Sequence, residues 1–465
     1  MGKKTIGILL IAILAIVFTV SYGCYLFSQS NQTDNTVANS PSPEPTPTPE
    51  STPAPSHTPT PSPTPTPEPT PTEPPSPTSP NPETIVVPSD YSTIQAAIYS
   101  ASEGDTVFVK KGTYEGPINQ TLVINKKIWL IGEDANTTKI NLHPPLVQIT
   151  IFTQTFWGYP DPIKIEANEV KLTGFTITSN GRGISVAGKA TQIIGNIMSI
   201  GVYATGDGTQ VIGNTMASEY ACTINVNGSN QTIAQNTIRG NGDFQISCVG
   251  SYNIITSNNV AGSGGGIYTS GSHNIVYRNS ITAKSGISGG LEVSGDGNIV
   301  AKNNSTNFVE IDGSFNVFCG NIVTSNIGIV GNNNSFYGNY MQGIAFGNCY
   351  EDASYNTFYN NNFDFVENEA LPVGEKTFTV WVGVHGPDFL DNGKQGNYWS
   401  DYNGTDNNGD GIGDTPYVIY ANDTRNYHYM ADFDVSNIIL TDHYPLMAPF
   451  DISSLTIELP KWATN

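Results

Sequence analysis

An asparagine returns about once every 21 residues through the middle of this chain, and that period constrains the fold more than any other feature. The pattern is Asn-x-apolar-x-x-Asn: Asn253-Ile-Ile255-Thr-Ser-Asn258, Asn274-Ile-Val276-Tyr-Arg-Asn279, Asn298-Ile-Val300-Ala-Lys-Asn303, Asn316-Val-Phe318-Cys-Gly-Asn321, Asn334-Ser-Phe336-Tyr-Gly-Asn339 and Asn356-Thr-Phe358-Tyr-Asn-Asn361. Three earlier copies carry Thr or Gln at the first position and close at Asn196, Asn214 and Asn236. The closing asparagines stand 18, 22, 22, 21, 24, 18, 18 and 22 residues apart. Just upstream within the period lies an apolar-x-apolar element that usually runs into Gly after one residue, as in Ile184-Ser-Val186, Ile224-Asn-Val226, Leu291-Glu-Val293 and Val309-Glu-Ile311. Alternation at period two sends one side of such a strand to a core and the other to water.

Two or three short strands per period, separated by Gly and Asn turns, predict an all-β, right-handed parallel β-helix. Equivalent asparagines then stack about 4.8 Å apart, each amide serving turn backbone that burial would otherwise leave unpaired. Val170-Lys-Leu172 and Ile128-Trp-Leu130 extend the rhythm upstream. The spacing predicts about 12 coils over residues 105–363, a rod of roughly 55 to 60 Å. Open solenoid ends need caps. Ser92-Thr-Ile-Gln95 reads as a capping box opening a short helix whose Ile94, Ala97, Ile98 and Ala101 share one face, so residues 83–104 are the expected N-terminal cap. Residues 364–465 lose the period and are the expected C-terminal cap.

The rest of the chain is of a different kind. Lys3 and Lys4 precede an apolar run from Ile6 to Phe27, roughly the 20 residues that cross a bilayer. Residues 1–27 are therefore expected to be a retained signal anchor with the remainder outside the cell. The alternatives are a cleaved signal peptide and lipidation at Cys24, whose preceding Ser21 and Tyr22 make a poor lipobox. Nineteen of the 31 prolines fall between Pro41 and Pro82. Residues 28–82 thus read as a Pro/Thr-rich polyproline II stalk, the proline tract itself reaching up to roughly 130 Å. From residue 83 onward, 35 acidic residues face 17 basic ones, which excludes nucleic acid as a partner.

Tyr91-Ser-Thr-Ile-Gln-Ala-Ala-Ile98, followed by Gly104-Asp-Thr-Val-Phe-Val109 and Gly112-Thr-Tyr114, resembles the opening of pectin-lyase-fold proteins. The asparagine coils resemble the NosD-like and the carbohydrate-binding/sugar-hydrolysis β-helix families. The segments Gly396-Asn-Tyr-Trp-Ser-Asp401, Gly409–Tyr417 and Asp442–Leu446 are similar to the tail of archaeal cell-surface members, apart from an insertion near residues 421–440. The resemblance implies a glycan partner or, through NosD, copper. It brings no catalytic set: Asp243-Phe-Gln-Ile-Ser does not supply the pectin methylesterase element, and the polygalacturonase motifs are missing.

Two groups of residues carry candidate chemistry. Asp406, Asn408, Asp410, the Ile412 carbonyl and Asp414, with Gly411 at the turn, have the oxygen spacing of a calcium loop, although Tyr417 stands where a bidentate Glu would close it. The rival reading is a metal-free cluster of Asx turns. On the coils, the outward column Ser185, Tyr203, Asn225, Ser247, Tyr268, Glu292, Glu310 should place Tyr268 beside Glu292 and Glu310, with Ser270, Ser294 and Asp312 alongside. Tyr203, Tyr268, Glu292, Glu310 and Asp312 are the candidate ligand-binding residues. An aromatic face with flanking polar groups suits a sugar, paired carboxylates suit glycoside chemistry, and solvated glutamates are the plain alternative. His57, His143, His273, His385, His428 and His443 are scattered, with only His428 and Met430 close, a poor copper set. Cys222, Cys248, Cys319 and Cys349 hold different coil positions and read as buried thiols rather than disulfides. Glycosylation sequons start at Asn31, Asn119, Asn136, Asn227, Asn230, Asn303, Asn304, Asn333, Asn403 and Asn422. The expected function is a membrane-tethered, non-catalytic cell-envelope or adhesion module that binds polysaccharide. The rivals are an enzyme that cuts or modifies polysaccharide and a copper accessory protein.

Overall fold

The computed structural model describes residues 82–463, apart from 117–119, 152–153, 219–222, 241–243, 263–264, 284–289, 347–352, 365–377, 381–387 and 421–438. The expected anchor and stalk, Cys222, Cys349 and the His428–Met430 pair lie outside the described residues. Among the described residues no helix is long and apolar enough to cross a membrane.

The chain winds as a parallel β-helix with three ladders. The first is a 13-stranded parallel sheet that starts at Thr84–Val87 and continues through Thr106–Val109, Trp129–Gly132 and Lys171–Thr173 to Thr357–Tyr359. From Thr106 on, its twelve strands bound eleven full turns, in line with the number of coils read from the period. The second ladder follows each closing asparagine, as at Ile197–Met198 and Thr215–Ser218, and begins earlier with strands such as Thr176–Ser179, which follows Phe175. The third holds Gly183–Val186, Gly201–Ala204, Ile224–Asn227, Phe244–Val249, Gly266–Ser270, Leu291–Ser294 and Val309–Asp312. Strand order is sequential and every ladder is parallel. Each coil drives one aliphatic or aromatic group of the first ladder inward, from Leu130 and Leu172 through Ile193, Val211, Ile233, Ile255, Val276 and Val300 to Phe318, Phe336 and Phe358, all at most 1% exposed. Full burial of such a side chain contributes about 1.5 to 3 kcal/mol.

The corners explain the asparagines. The nine closing residues form one buried file, in which each Oδ1 accepts the backbone N–H of the asparagine one coil earlier: Asn214 to Asn236 at 2.9 Å, Asn279 to Asn303 at 2.9 Å, Asn303 to Asn321 at 2.8 Å and Asn339 to Asn361 at 3.1 Å are examples. Each Nδ2 in turn donates to a strand carbonyl of the coil before, as Asn321 does to Val300 at 2.9 Å. A second file, Gln231, Asn253, Asn274, Asn298, Asn316, Asn334 and Asn356, turns the opposite end of the first ladder through the same N-to-Oδ1 contacts, at 2.7 to 2.9 Å, but the buried Nδ2 atoms of Asn253, Asn274, Asn298 and Asn316 have no protein acceptor among the described residues. The residue before each file member adopts the left-handed region, for instance Gly320 (φ 65) ahead of Asn321 and Phe315 (φ 59) ahead of Asn316. The Gly that trails the third ladder has a steric origin: a Cβ on Gly313 would sit 2.3 Å from the Gly295 carbonyl oxygen of the coil before.

Both ends are capped. Helix Ile94–Ser100 buries Ile94, Ala97 and Ile98 and is followed by buried Ala101. Its N-cap is Thr93, whose Oγ1 accepts from the Ala96 amide at 3.2 Å, one residue later than the capping box predicts. From this helix the Gln95 side chain stands in for a strand neighbour: it accepts from the Val123 amide at 2.9 Å and donates to the Val123 carbonyl at 3.1 Å, sealing an open edge. At the other end Trp399, fully buried, stacks between Phe363 and Tyr417 with centroids 4.4 and 4.5 Å away. The closing file continues past the last coil to Asn397 and ends on Asp442, whose Oδ2 accepts from the Asn397 amide at 2.7 Å and Trp399 Nε1 at 2.8 Å. The second file ends on Asp388, which accepts from the Asn356 amide at 2.8 Å. Tyr417–Tyr420 and Ile439–Asp442 pair antiparallel, so the 421–440 insertion grows from a hairpin stem. A further antiparallel hairpin, Val147–Ile151 with Gln154–Gly158, leaves the coil without any forewarning in the period.

Asn321→Ala leaves the buried amide and Nδ2 of Asn303 without their acceptor, at roughly 1 to 3 kcal/mol for each orphaned donor. Urea unfolding should show a loss of about 3 kcal/mol or more. The exposed neighbour, Asn304→Ala, should stay within about 0.5 kcal/mol.

Candidate functional site

The third ladder presents its outward column in the expected register. Ser185 pairs with Tyr203, Tyr203 with Asn225, Asn225 with Ser247, Ser247 with Tyr268, Tyr268 with Glu292, and Glu292 with Glu310. The flanking row, Ser270, Ser294 and Asp312, is equally in step. Tyr268, Glu292 and Glu310 therefore occupy three successive coils about 4.8 Å apart. The inward neighbours Ile267, Leu291, Val309, Val293 and Ile311 are buried and hold these strands rigid.

Tyr203 does not join them, for three coil steps, roughly 14 Å, separate it from Tyr268. Its ring carries the Arg182 guanidinium 4.4 Å from its centroid. Arg182 is fixed in turn by Asp161 through contacts of 3.0 and 3.2 Å. Tyr203 is thus part of a cation–π structure. Two residues outside the repeat pattern complete the acidic patch. The Phe244 ring lies tilted against Tyr268 with centroids 5.4 Å apart. Phe308 fills the space beside Gly328, the partner of Glu310 on the next coil: a Cβ at 328 would be 2.6 Å from Phe308 Cζ.

Phe244 thus backs Tyr268, and Phe308 stands beside the coil that follows Glu310. Burial, followed by the charges of Glu310 and Asp312, pushes Glu292 up to about 7 from its ordinary 4.5. Glu310 is raised by burial and by Asp312. Ser294 Oγ lies 3.4 Å from Asp312 Oδ2. Near pH 7 Glu292 is therefore about half protonated, so its carboxyl can both donate to and accept from hydroxyl groups.

The Asp406–Asp414 loop is separate, pinned to the cap by the Met447 amide on the Gly411 carbonyl at 3.0 Å and the Gly413 amide on the Pro445 carbonyl at 2.8 Å. Its oxygens serve the loop itself. Asp406 accepts from Gly409 at 2.7 Å and Gly411 at 2.8 Å, Asn408 from Asp410 at 2.9 Å, Asp410 from Ile412 at 2.8 Å, and Asp414 from Asn407 at 2.8 Å. Among the described residues no group of three or more His, Cys, Asp or Glu side chains is arranged to hold a metal ion. Cys248 and Cys319 are free, buried thiols; burial drives both upward, Cys319 to about 11. Asn303 is 2% exposed and belongs to the closing file, so its sequon is closed to a glycan in the folded chain, whereas Asn136, Asn230, Asn333 and Asn403 are exposed.

The fold defines the protein as a right-handed parallel β-helix. The family described as "Right handed beta helix region" matches residues 163–306. Similar solved structures include Geobacillus virus E2 ORF18 (14% identity, TM-score 0.34, 63% of this chain and 56% of that one). The PL6 family alginate lyase AlyGC gives 12% identity and a TM-score of 0.36 over 68% of this chain and 51% of the other. The catalytic domain of a GH87 alpha-1,3-glucanase in complex with nigerose gives 14% and 0.33 over 66% and 70%. The chain spans 56% and 51% of the length of the first two. No curated protein matches the sequence.

Glu292 in the folded protein holds a proton that the unfolded chain releases. The stability it contributes is complete below about pH 4.5 and is lost as pH rises through about 7. Asp388 and Asp442, both raised by burial to about 6, act with the same sign. Melting temperature should fall between pH 5 and 8, and Glu292→Gln should flatten the upper part of that profile; an unchanged profile would remove the protonated Glu292 from the account.

Proposed function

We propose that this protein is a cell-surface module that binds polysaccharide along the third ladder, tethered through its N-terminal apolar segment and proline stalk. The observation that carries the reading is the in-register Tyr268, Glu292 and Glu310 on three consecutive rigid coils. A ring face packs against the C–H face of a pyranose, while the protonated and ionised carboxyl groups donate to and accept from its hydroxyls. The formal charge of −21 disfavours polyuronates and points to a neutral chain. The full-length protein applied to a glycan array should bind neutral oligosaccharides, and Tyr268→Ala should weaken the hits about tenfold. An array without hits, or hits indifferent to Tyr268, would defeat the proposal.

One observation favours a second reading: a carboxyl that keeps its proton near neutrality beside other carboxylates is what a glycosidase acid requires. Product analysis on every array hit separates the two. New reducing or unsaturated ends that disappear in Glu292→Gln, with binding kept, assign an enzyme; binding without products assigns the module.

Calcium support of the C-terminal cap belongs to the same proposal. Asp406, Asn408, Asp410, the Ile412 carbonyl and Asp414 form an oxygen-only donor set of the kind a hard cation takes, although their oxygens must exchange loop amides for the ion. Calcium should raise the melting temperature relative to chelator, and Asp410→Ala should abolish the difference. Equal melting of the parent in both would end the calcium reading.

A further inference from the structure

The corner between the third and first ladders carries a row of side chains that neither the core nor the proposed third-ladder site uses. One residue per coil occupies the left-handed region there: Gly208, Asn230, Tyr252, His273, Gly297, Phe315, Asn333 and Tyr355, with φ from 58 to 71. Their amides bond coil to coil, as Tyr252 to the Ser272 carbonyl, His273 to Asp296 and Phe315 to Asn332, at 3.0 to 3.1 Å, so the row is in register. Gly and Asn are the residues this backbone favours, and a bulky ring in the left-handed region is disfavoured. Burial does not compensate, for Tyr252 is 44%, Phe315 65% and Tyr355 51% exposed, and His273 is exposed too.

The order of the rings is informative. Tyr252 and His273 stack at 5.1 Å with planes 10° apart. The tail returns along the coils to set Trp462 edge-on to Tyr252 at 5.6 Å, itself 39% exposed. After His273, rings alternate with small or polar residues: Gly297, Phe315, Asn333, Tyr355. His273, Phe315 and Tyr355 thus recur every second coil, about 10 Å apart, close to the span of a disaccharide. Beside the rings runs a polar row, Ser251, Ser272, Asp296, Ser314, Asn332 and Ser354.

We infer that this corner is a second glycan-binding track, whose His273, Phe315 and Tyr355 rings seat every second sugar of a neutral, ribbon-shaped β-1,4-linked polysaccharide lying along the helix axis. Ring faces meet the apolar faces of alternate pyranoses, and the serine and asparagine row meets their hydroxyl edges. The track stands on its own residues and does not require the third-ladder site.

The test uses the full-length protein and three insoluble probes, microcrystalline cellulose, chitin and β-mannan, with sedimentation of bound protein as the readout. Asn already occupies this corner at Asn230 and Asn333, so the double variant Phe315→Asn, Tyr355→Asn removes the rings while suiting the backbone. The parent should be retained by at least one probe, and the double variant about tenfold less, with a melting temperature equal to or above that of the parent. The double variant should keep the glycan-array hits that depend on Tyr268, which separates the track from the third-ladder reading. Retention unaltered in the double variant, or a parent retained by none of the probes, overturns the inference. So does an unretained parent that self-associates in sedimentation velocity and becomes monomeric in the double variant, because the rings would then serve a second copy of the chain.

Discussion

The whole architecture depends on one arrangement, the side-chain amide of an asparagine accepting the backbone N–H of its counterpart a coil away. A parallel solenoid must bend its chain between ladders, and each bend buries peptide groups where no strand neighbour can reach them. The two files answer that need at either end of the first ladder by their side-chain oxygens, and in the closing file Asn suits it further because a single short side chain both accepts and donates. A left-handed residue immediately before each asparagine completes the bend. Position in the repeat thereby becomes equivalent to position in space, and any side chain at a fixed offset from the file falls into a straight outward row.

The same equivalence accounts for the unusual electrostatics. Glu292 and Glu310 are brought together by register, since no local sequence feature places two acids in contact across 18 residues. Burial and the neighbouring acids then hold Glu292 up to about 7, so a chain of strong negative charge keeps this carboxyl about half protonated near neutrality. The buried carboxyls of Asp388 and Asp442 have another purpose: they terminate files of donors, Asp442 accepting from backbone and indole N–H groups and Asp388 from the Asn356 amide through one oxygen only.

Much of this was legible in the sequence because it is periodic. The closing asparagines, the core positions and the Tyr268–Glu292–Glu310 column all follow from counting along the repeat. Residues that act from outside the period were not legible. Arg182 and Phe308 lie just before third-ladder strands, where no rule of alternation applies, and Arg182 sets its guanidinium over the Tyr203 ring. Thr93 rather than Ser92 caps the first helix, and Gln95 is engaged by Val123, a partner 28 residues away that the local motif does not reveal. The hairpin Val147–Gly158 interrupts the winding without a repeat to announce it. The corner rings were hidden for the opposite reason: Tyr252, His273, Phe315 and Tyr355 sit inside the period, at an offset where a turn residue is the ordinary reading.

The acidic ends of the two files have a consequence for how such molecules live together at high concentration. A stack of parallel strands is a template for its own copies, and an asparagine in last place would present an outward donor and acceptor to the next molecule. A carboxylate accepts only, and here both lie buried at the ends of their files instead of being offered to a neighbour. Asp388 and Asp442 thus act as full stops, making the rod finite and discouraging growth of filaments through end-to-end pairing.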